Sequence, residues 1–294
     1  MTDRNETPSH LCKFLNEDHF QELYETFIEA FSDYVIPFAL TETQFRNHIN
    51  LNAVDMERTV GCFENKRLIG FSLNGFGEWD GKPTVYDAGT GVVPDRRRQG
   101  VSEAMFEIMI PRFRSEGIEQ LLLEVITTNV AAISLYKKLG FCEVREIALL
   151  QCDEPLPASP DVPHNIAIYD IDNPDWNLLT AFWDGTTSWQ NSVAAVDRSR
   201  KNKRILGAYS EGNCVGYIVF SSKFGRVAQL AVDKNYRNRG IATALMRAMQ
   251  TETAEGFSLQ IINIDKSLEG TTEFFARRGF YEVLNQFEMV MPVR

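Results

Sequence analysis

Arg96, Arg97 and Arg98 stand directly before Gln99-Gly100-Val101-Ser102, and the run RRRQGVSEA (96–104) ends in what reads as a helix. Guanidiniums, a residue without a Cβ and the unpaired N–H groups of a helix start are the parts from which a phosphate site is made. Gly100 would let the backbone approach a ligand closely, and arginine supplies charge for a diphosphate. The plainer reading is a solvated basic surface, and Arg96 in particular fits it. A second such stretch follows, however. VVPDRRRQGVSEAMFEIM (92–109) aligns with VDKNYRNRGIATALMRAM (232–249), which sets Arg97 against Arg237 and Gly100 against Gly240.

The flanking elements repeat as well. SLYKKLGFCEV (134–144) matches EFFARRGFYEV (273–283), so the chain reads as two tandem copies of one plan. Between them DEPLPASPDVPH (153–164) holds four prolines and reads as an extended linker. The expected division is 1–153, a linker at 154–164, and 165–294. In the first copy EDHFQELYETFIEAF (17–31) is apolar at helical spacing, and TETQFRNHINL (41–51) opens on a cap at Thr41. TVGCFE, RLIGFSLNGF and TVYDAGTGVV read as a strand meander. A helix at 101–114, the strand QLLLEVI (120–126), a helix at 131–139 ending at Gly140, and a closing strand follow. The fold class is therefore α/β (α+β). Each copy forms a mixed, mostly antiparallel sheet flanked by helices on both faces.

Composition narrows the function. The chain has 294 residues and a net charge of −10, which argues against general nucleic-acid binding. No long apolar run suggests a membrane span. Five scattered cysteines without a C-x-x-C pair argue against a disulfide framework or zinc cage, and for a reducing cytoplasm. No metal is expected. Residues 1–153 carry 24 Asp and Glu against 15 Lys and Arg, a balance that favours a small cationic amine as partner.

The twinned loop, Arg97-x-x-Gly100-x-Ser102 and Arg237-x-x-Gly240-x-Ala242, resembles the Q/R-x-x-G-x-G/A element of the GNAT superfamily of N-acetyltransferases. Ser102 departs from the Gly or Ala usual there; Ala242 does not. LLLEVITTNVAAISLYKKLGF (121–141) is similar to the family's L-E-V, Asn, A-I-x-L-Y, G-F succession. The resemblance implies acetyl-coenzyme A as co-substrate, gripped by Val92, Val93, Arg97, Arg98, Gln99, Gly100, Val101 and Ser102, with Asn129 and Ala132 along the pantetheine arm. Arg237, Gly240 and Ala242 hold the matching places in the second copy. It further implies Tyr136 as the acid that protonates the departing thiolate, Glu124 as a base, and the Val93 N–H as an oxyanion donor.

Chemistry gives such groups work. An alkylammonium must lose a proton before it attacks a thioester, and a carboxylate can take it. Asp87 in VYDAGTG is a second candidate base. Each residue also has a structural reading: Tyr136 as core packing, Asn129 as a helix cap, Glu124 facing solvent, Asp87 satisfying a turn with Thr90. In the second copy Phe275 replaces Tyr136 and Leu268 replaces Asn129, so that copy is expected to be a poor catalyst. The expected activity is transfer of an acetyl group to a primary amine of a small molecule or peptide, in a ternary complex. The alternatives are a non-catalytic coenzyme A sensor and an enzyme using another acyl donor. Phe31, Tyr34, Phe38 and Phe45 would line an acceptor slot. The expected state is a monomer with an internal pseudo-dimer, or a homodimer.

Overall fold

A computed structural model describes residues 10–34, 40–156 and 165–293. Most of the expected linker, at 157–164, and Phe38 lie outside these residues. The chain divides into two compact units, the first Met1–Val144 with Glu288–Arg294, the second Arg145–Phe287.

In the first unit β1 (Leu11–Phe14), α1 (Phe20–Ala30) and α2 (Glu42–Leu51) precede a meander of β2 (Val60–Glu64), β3 (Arg67–Trp79) and β4 (Lys82–Val92). Then come α3 (Val101–Ser115), β5 (Gln120–Ile126) and α4 (Val130–Leu139). The sheet order is β1-β2-β3-β4-β5. The first three pairings are antiparallel and β4 pairs parallel to β5, with Tyr86 opposite Leu122 and Asp87 opposite Leu123. Successive residues of β3 face opposite helices, as strand alternation requires. A Cβ on Gly70 would meet Val101 of α3, whereas the next residue, Phe71, packs against Phe27 of α1.

Local chemistry sets the helix ends. The backbone N–H of Gln44 donates to the Thr41 hydroxyl, and the Gln44 side chain returns to the Thr41 N–H, a reciprocal cap. Gly140 ends α4 at φ 104°, a left-handed conformation that costs glycine little. The core between α1, α2 and the sheet centres on Phe20, Leu23, Phe27, Phe45, Phe71 and Leu73.

The second unit repeats the plan. It takes up β6 (Cys142–Cys152) from Arg145 onward, then β7 (Ile166–Asp170), α5 (Trp176–Thr180), α6 (Val193–Arg198), β8 (Arg204–Ser210), β9 (Asn213–Ser221) and β10 (Arg226–Val232). α7 (Ile241–Glu252), β11 (Leu259–Asp265), α8 (Glu269–Ala276) and β12 (Tyr281–Pro292) complete the chain. The order is β6-β11-β10-β9-β8-β7, with β10 parallel to β11 as β4 is to β5. The last part of β12, from Glu288, belongs to the first unit, where the Val293 N–H donates to the Glu119 carbonyl (2.8 Å) at the start of β5. Among the described residues no helix is long and apolar enough to cross a membrane.

One expectation is overturned here. Cys12 and Cys62 stand directly opposite on β1 and β2 and are joined by a disulfide. Sequence spacing gives no hint of this pair, because β-pairing brings together residues 50 positions apart.

Candidate active site

The loop after β4 turns through two left-handed residues. Arg98 and Gly100 both have positive φ, 60° and 78°, and the second copy repeats them at Asn238 (60°) and Gly240 (77°). A Cβ at Gly100 would point into open space, with nothing within 4 Å. The glycine is thus not required by neighbouring protein atoms; it serves the left-handed turn and keeps the approach to the start of α3 clear. Such a loop could hold the oxygens of an anion at the N–H groups of the helix start.

The arginines divide the work differently from expectation. The Arg97 guanidinium is committed to protein: it donates to both Asp33 carboxylate oxygens (2.7 Å each), to the Ala30 carbonyl (2.9 Å) and to the Val92 carbonyl (3.2 Å). Arg237 does the same with Asp184, Phe182 and Val232. These arginines tie the end of the preceding strand to the chain at the end of α1 and just after α5, instead of presenting charge to phosphate. The hydrogen bond and charge of Arg97 hold the Asp33 carboxyl below the usual range. Arg96 pairs with Glu64 (2.8 Å). Arg98 is exposed and forms no ion pair among the described residues, which leaves it as the arginine free to meet an anion. Gln99 receives His10 at its carbonyl (3.2 Å).

Val93 also departs from expectation. Its N–H donates to the Ile69 carbonyl (3.0 Å), and that of Asp233 donates to Val215 (2.9 Å). The pairing with β3 extends one residue past β4, which consumes the donor assigned to an oxyanion.

Two candidates come together on the α4 side of the sheet. The Tyr136 hydroxyl, 8% exposed as a residue, donates to Asp87 (3.4 Å), while its ring meets Phe106 and Phe141 edge-on. Asp87 also accepts from the Thr90 hydroxyl (2.8 Å) and the Gly89 N–H (3.0 Å), so the turn with Thr90 exists alongside the contact to Tyr136. Burial pushes the Asp87 carboxyl up from 3.8 to about 6, although Thr90, Gly89 and Tyr136 pull the other way. Burial and the Asp87 charge push the Tyr136 phenol well above its usual value. A carboxylate that changes charge near neutrality, touching a neutral phenol, can accept and return protons.

Glu124 is elsewhere. The register that sets Asp87 opposite Leu123 turns Glu124 to the other face, where its side chain bonds Tyr86. Asn129 caps α4, accepting from the Ala132 N–H (3.2 Å), and it bonds Tyr34 as well. Tyr34, half-buried, thereby joins the Asn129 and Tyr136 neighbourhood. Phe45 is fully buried core and lines no slot. Phe31 stacks between Phe27 and Tyr34.

Two residues were not singled out from sequence. His48 on α2 bonds the Ala88 carbonyl (2.8 Å), and burial lowers its pKa. Glu288, fully buried, reaches the first unit from the chain's last strand and acts electrostatically on Tyr86. The first had an isolated side chain as its only signal, and the second lies in the other repeat.

The second unit lacks the proton-handling pair. Phe275 stands where Tyr136 stands, and Leu268 precedes α8 with the same φ and ψ (−84°, 69°) as Asn129 but without a side-chain cap. A cleft of about 720 Å³ nevertheless opens between β10, β11 and α7, lined by Arg237, Gly240, Phe275 and Arg278 among others.

Comparison with known proteins agrees. The Acetyltransferase (GNAT) family model matches residues 19–141, and the Acetyltransferase (GNAT) domain model matches 183–290. The [ribosomal protein bS18]-alanine N-acetyltransferase of Escherichia coli K12 is 35% identical over 94 residues, 30% of this chain and 64% of that protein's length. N-alpha-acetyltransferase 30 of Schizosaccharomyces pombe is 24% identical over 133 residues, 45% of this chain and 80% of that protein. A tandem GNAT protein from the clavulanic acid biosynthesis pathway superposes with TM-score 0.74 at 15% identity, covering 97% of this chain and 98% of that one. A GCN5-related N-acetyltransferase from Sphaerobacter thermophilus gives 0.72 at 14% identity, covering 97% and 96%. The two matched stretches account for most of the 294 residues, and the chain belongs to the GNAT acetyltransferase family, with two of its domains in tandem.

Proposed function

We propose that the first unit transfers the acetyl group of acetyl-coenzyme A to a primary amine, in a ternary complex. The observation that carries this reading is the contact of Tyr136 with Asp87 in the unit that also holds the loop at Gly100; the second unit has Phe275 in place of Tyr136. Backbone N–H groups at the start of α3, with Arg98, would hold the diphosphate, while Arg97 keeps the loop in shape. Asp87, ionised above about pH 6, would take the ammonium proton, and Tyr136 would give its phenolic proton to the departing sulfur. Glu124 on the opposite face is a second base candidate, reached through Tyr86. Binding donor and amine side by side supplies much of the remaining acceleration. The two relatives, one named as an alanine N-acetyltransferase of a ribosomal protein and the other as an N-alpha-acetyltransferase, favour a peptide or protein amine over a small cationic amine.

A second reading concerns the second unit, which we infer binds coenzyme A without turning it over. Its support is the cleft of about 720 Å³ beside a loop with the same backbone as the first. The test is incubation with acetyl-coenzyme A and separate amines: a peptide with N-terminal alanine, a polyamine and a free amino acid. Coenzyme A release that depends on one amine supports transfer; release with none of them, alongside tight binding, favours the sensor alternative.

A further inference from the structure

The disulfide lies against the phosphate loop. Cys62 is fully buried and its sulfur sits 3.8 Å from the carbonyl oxygen of Val101, the first residue of α3. On one side of it His10, just before β1, bonds the Gln99 carbonyl (3.2 Å). On the other, Glu64 at the end of β2 holds Arg96 (2.8 Å). Phe14 at the far end of β1 lies under the Arg112 guanidinium of α3 (4.2 Å). The β1–β2 pair is therefore the floor of residues 94–101. Among the described residues β1, a four-residue strand at the sheet edge, pairs only with β2, and such a strand frays readily unless tied down.

We propose that the Cys12–Cys62 bond is a redox-sensitive latch on this loop: closed, it holds β1 under the loop and favours coenzyme A binding; opened, it releases β1 and weakens binding. This rests on the reading of residues 96–102 as the diphosphate site. Opening takes two equivalents of a low-molecular-weight thiol. The buried Cys62 sulfur is out of reach, so the first thiolate attacks the half-buried Cys12 sulfur, forms a mixed disulfide and expels Cys62 as a thiolate, which takes a proton. The second thiol attacks the mixed disulfide, leaving Cys12 as a thiol and the reagent as its own disulfide. The two protein sulfurs gain two electrons and two protons, and the reagent loses them. β1 then loses its tie, and the His10 contact to Gln99 goes with it.

The full-length protein is oxidised, and the Cys12–Cys62 linkage is confirmed by peptide mass spectrometry. A second portion is reduced with a phosphine, which adds no competing thiol. Acetyl-coenzyme A, whose sulfur is blocked, is titrated by calorimetry into both forms of the Gly240→Asp chain, so that the first unit alone is read, and hydrogen exchange is followed in residues 10–14 and 94–101. We expect reduction to raise Kd at least about fivefold, a typical coupling between sites, and to speed exchange in both segments. Cys12→Ser should behave as the reduced form in either buffer. Failure to recover the cross-link after oxidation, or equal exchange and Kd within twofold, overturns the latch. Should neither form bind acetyl-coenzyme A, the reading of the loop fails, while the exchange comparison still decides whether the bond controls the loop.

Discussion

Asp87→Asn separates the base from the rest of the site. With a pKa of about 6, Asp87 is roughly nine-tenths ionised at pH 7 and under one-tenth at pH 5, so its share of kcat/KM falls about tenfold over that span. Because the proton that Asp87 takes is the ammonium's own, the amine adds no slope of its own while Asp87 serves it. A plot of log kcat/KM against pH should therefore rise with slope one below about pH 6 and level off above it, whereas without a base only the free amine can attack and the slope stays at one throughout. Asp87→Asn keeps the shape and the Gly89–Thr90 turn but cannot take a proton, so the bend should vanish and a slope of one should remain. General-base loss should lower the neutral-pH rate by about 10²- to 10⁴-fold. The assay is chromatographic detection of coenzyme A across pH 5–8 with the amine found in the screen. A bend near 6 that survives in Asp87→Asn would refute the assignment and point to Glu124.

Other outcomes follow from the same geometry. Because the folded pKa of Asp87 is raised, its contribution to stability is full below about pH 4 and is lost as pH rises through about 6. The stability difference between wild type and Asp87→Asn should thus shift by about 2 kcal/mol in the variant's favour between pH 4 and 7, measured by denaturant unfolding. Arg97→Ala should lower stability by about 1–2 kcal/mol through its lost bonds to the Ala30 and Val92 carbonyls, whereas Arg98→Ala should leave stability alone and raise the Kd for acetyl-coenzyme A. Gly100→Asp, which places a negative side chain in a left-handed position, should abolish binding to the first unit, and Gly240→Asp binding to the second. Calorimetric stoichiometry reads out both.

Sequence carried the parts that depend on neighbours a few residues away. The Thr41 cap and the Gly140 stop each follow from a residue type and its local backbone, and both are present. The repeat was legible because both copies keep the same loop, down to matching φ values at Arg98 and Asn238. What escaped was long-range pairing. Arg97 meets Asp33 across 64 positions and Arg237 meets Asp184 across 53, so even the second copy gave no constant spacing to read. The Val93 N–H went to Ile69, and Cys12 met Cys62, for the same reason: β-register is set by the whole sheet. Register also separated Asp87 from Glu124. Their types nominated both as bases, but opposite faces of neighbouring strands leave one of them at Tyr136.

The central claim, that Tyr136 in the first unit supplies the proton for transfer, is tested most directly by Tyr136→Phe assayed for acetylation beside calorimetric binding of acetyl-coenzyme A. The account predicts binding within about twofold of wild type and kcat reduced at least about 100-fold. A kcat within threefold of wild type, with binding intact, would contradict it.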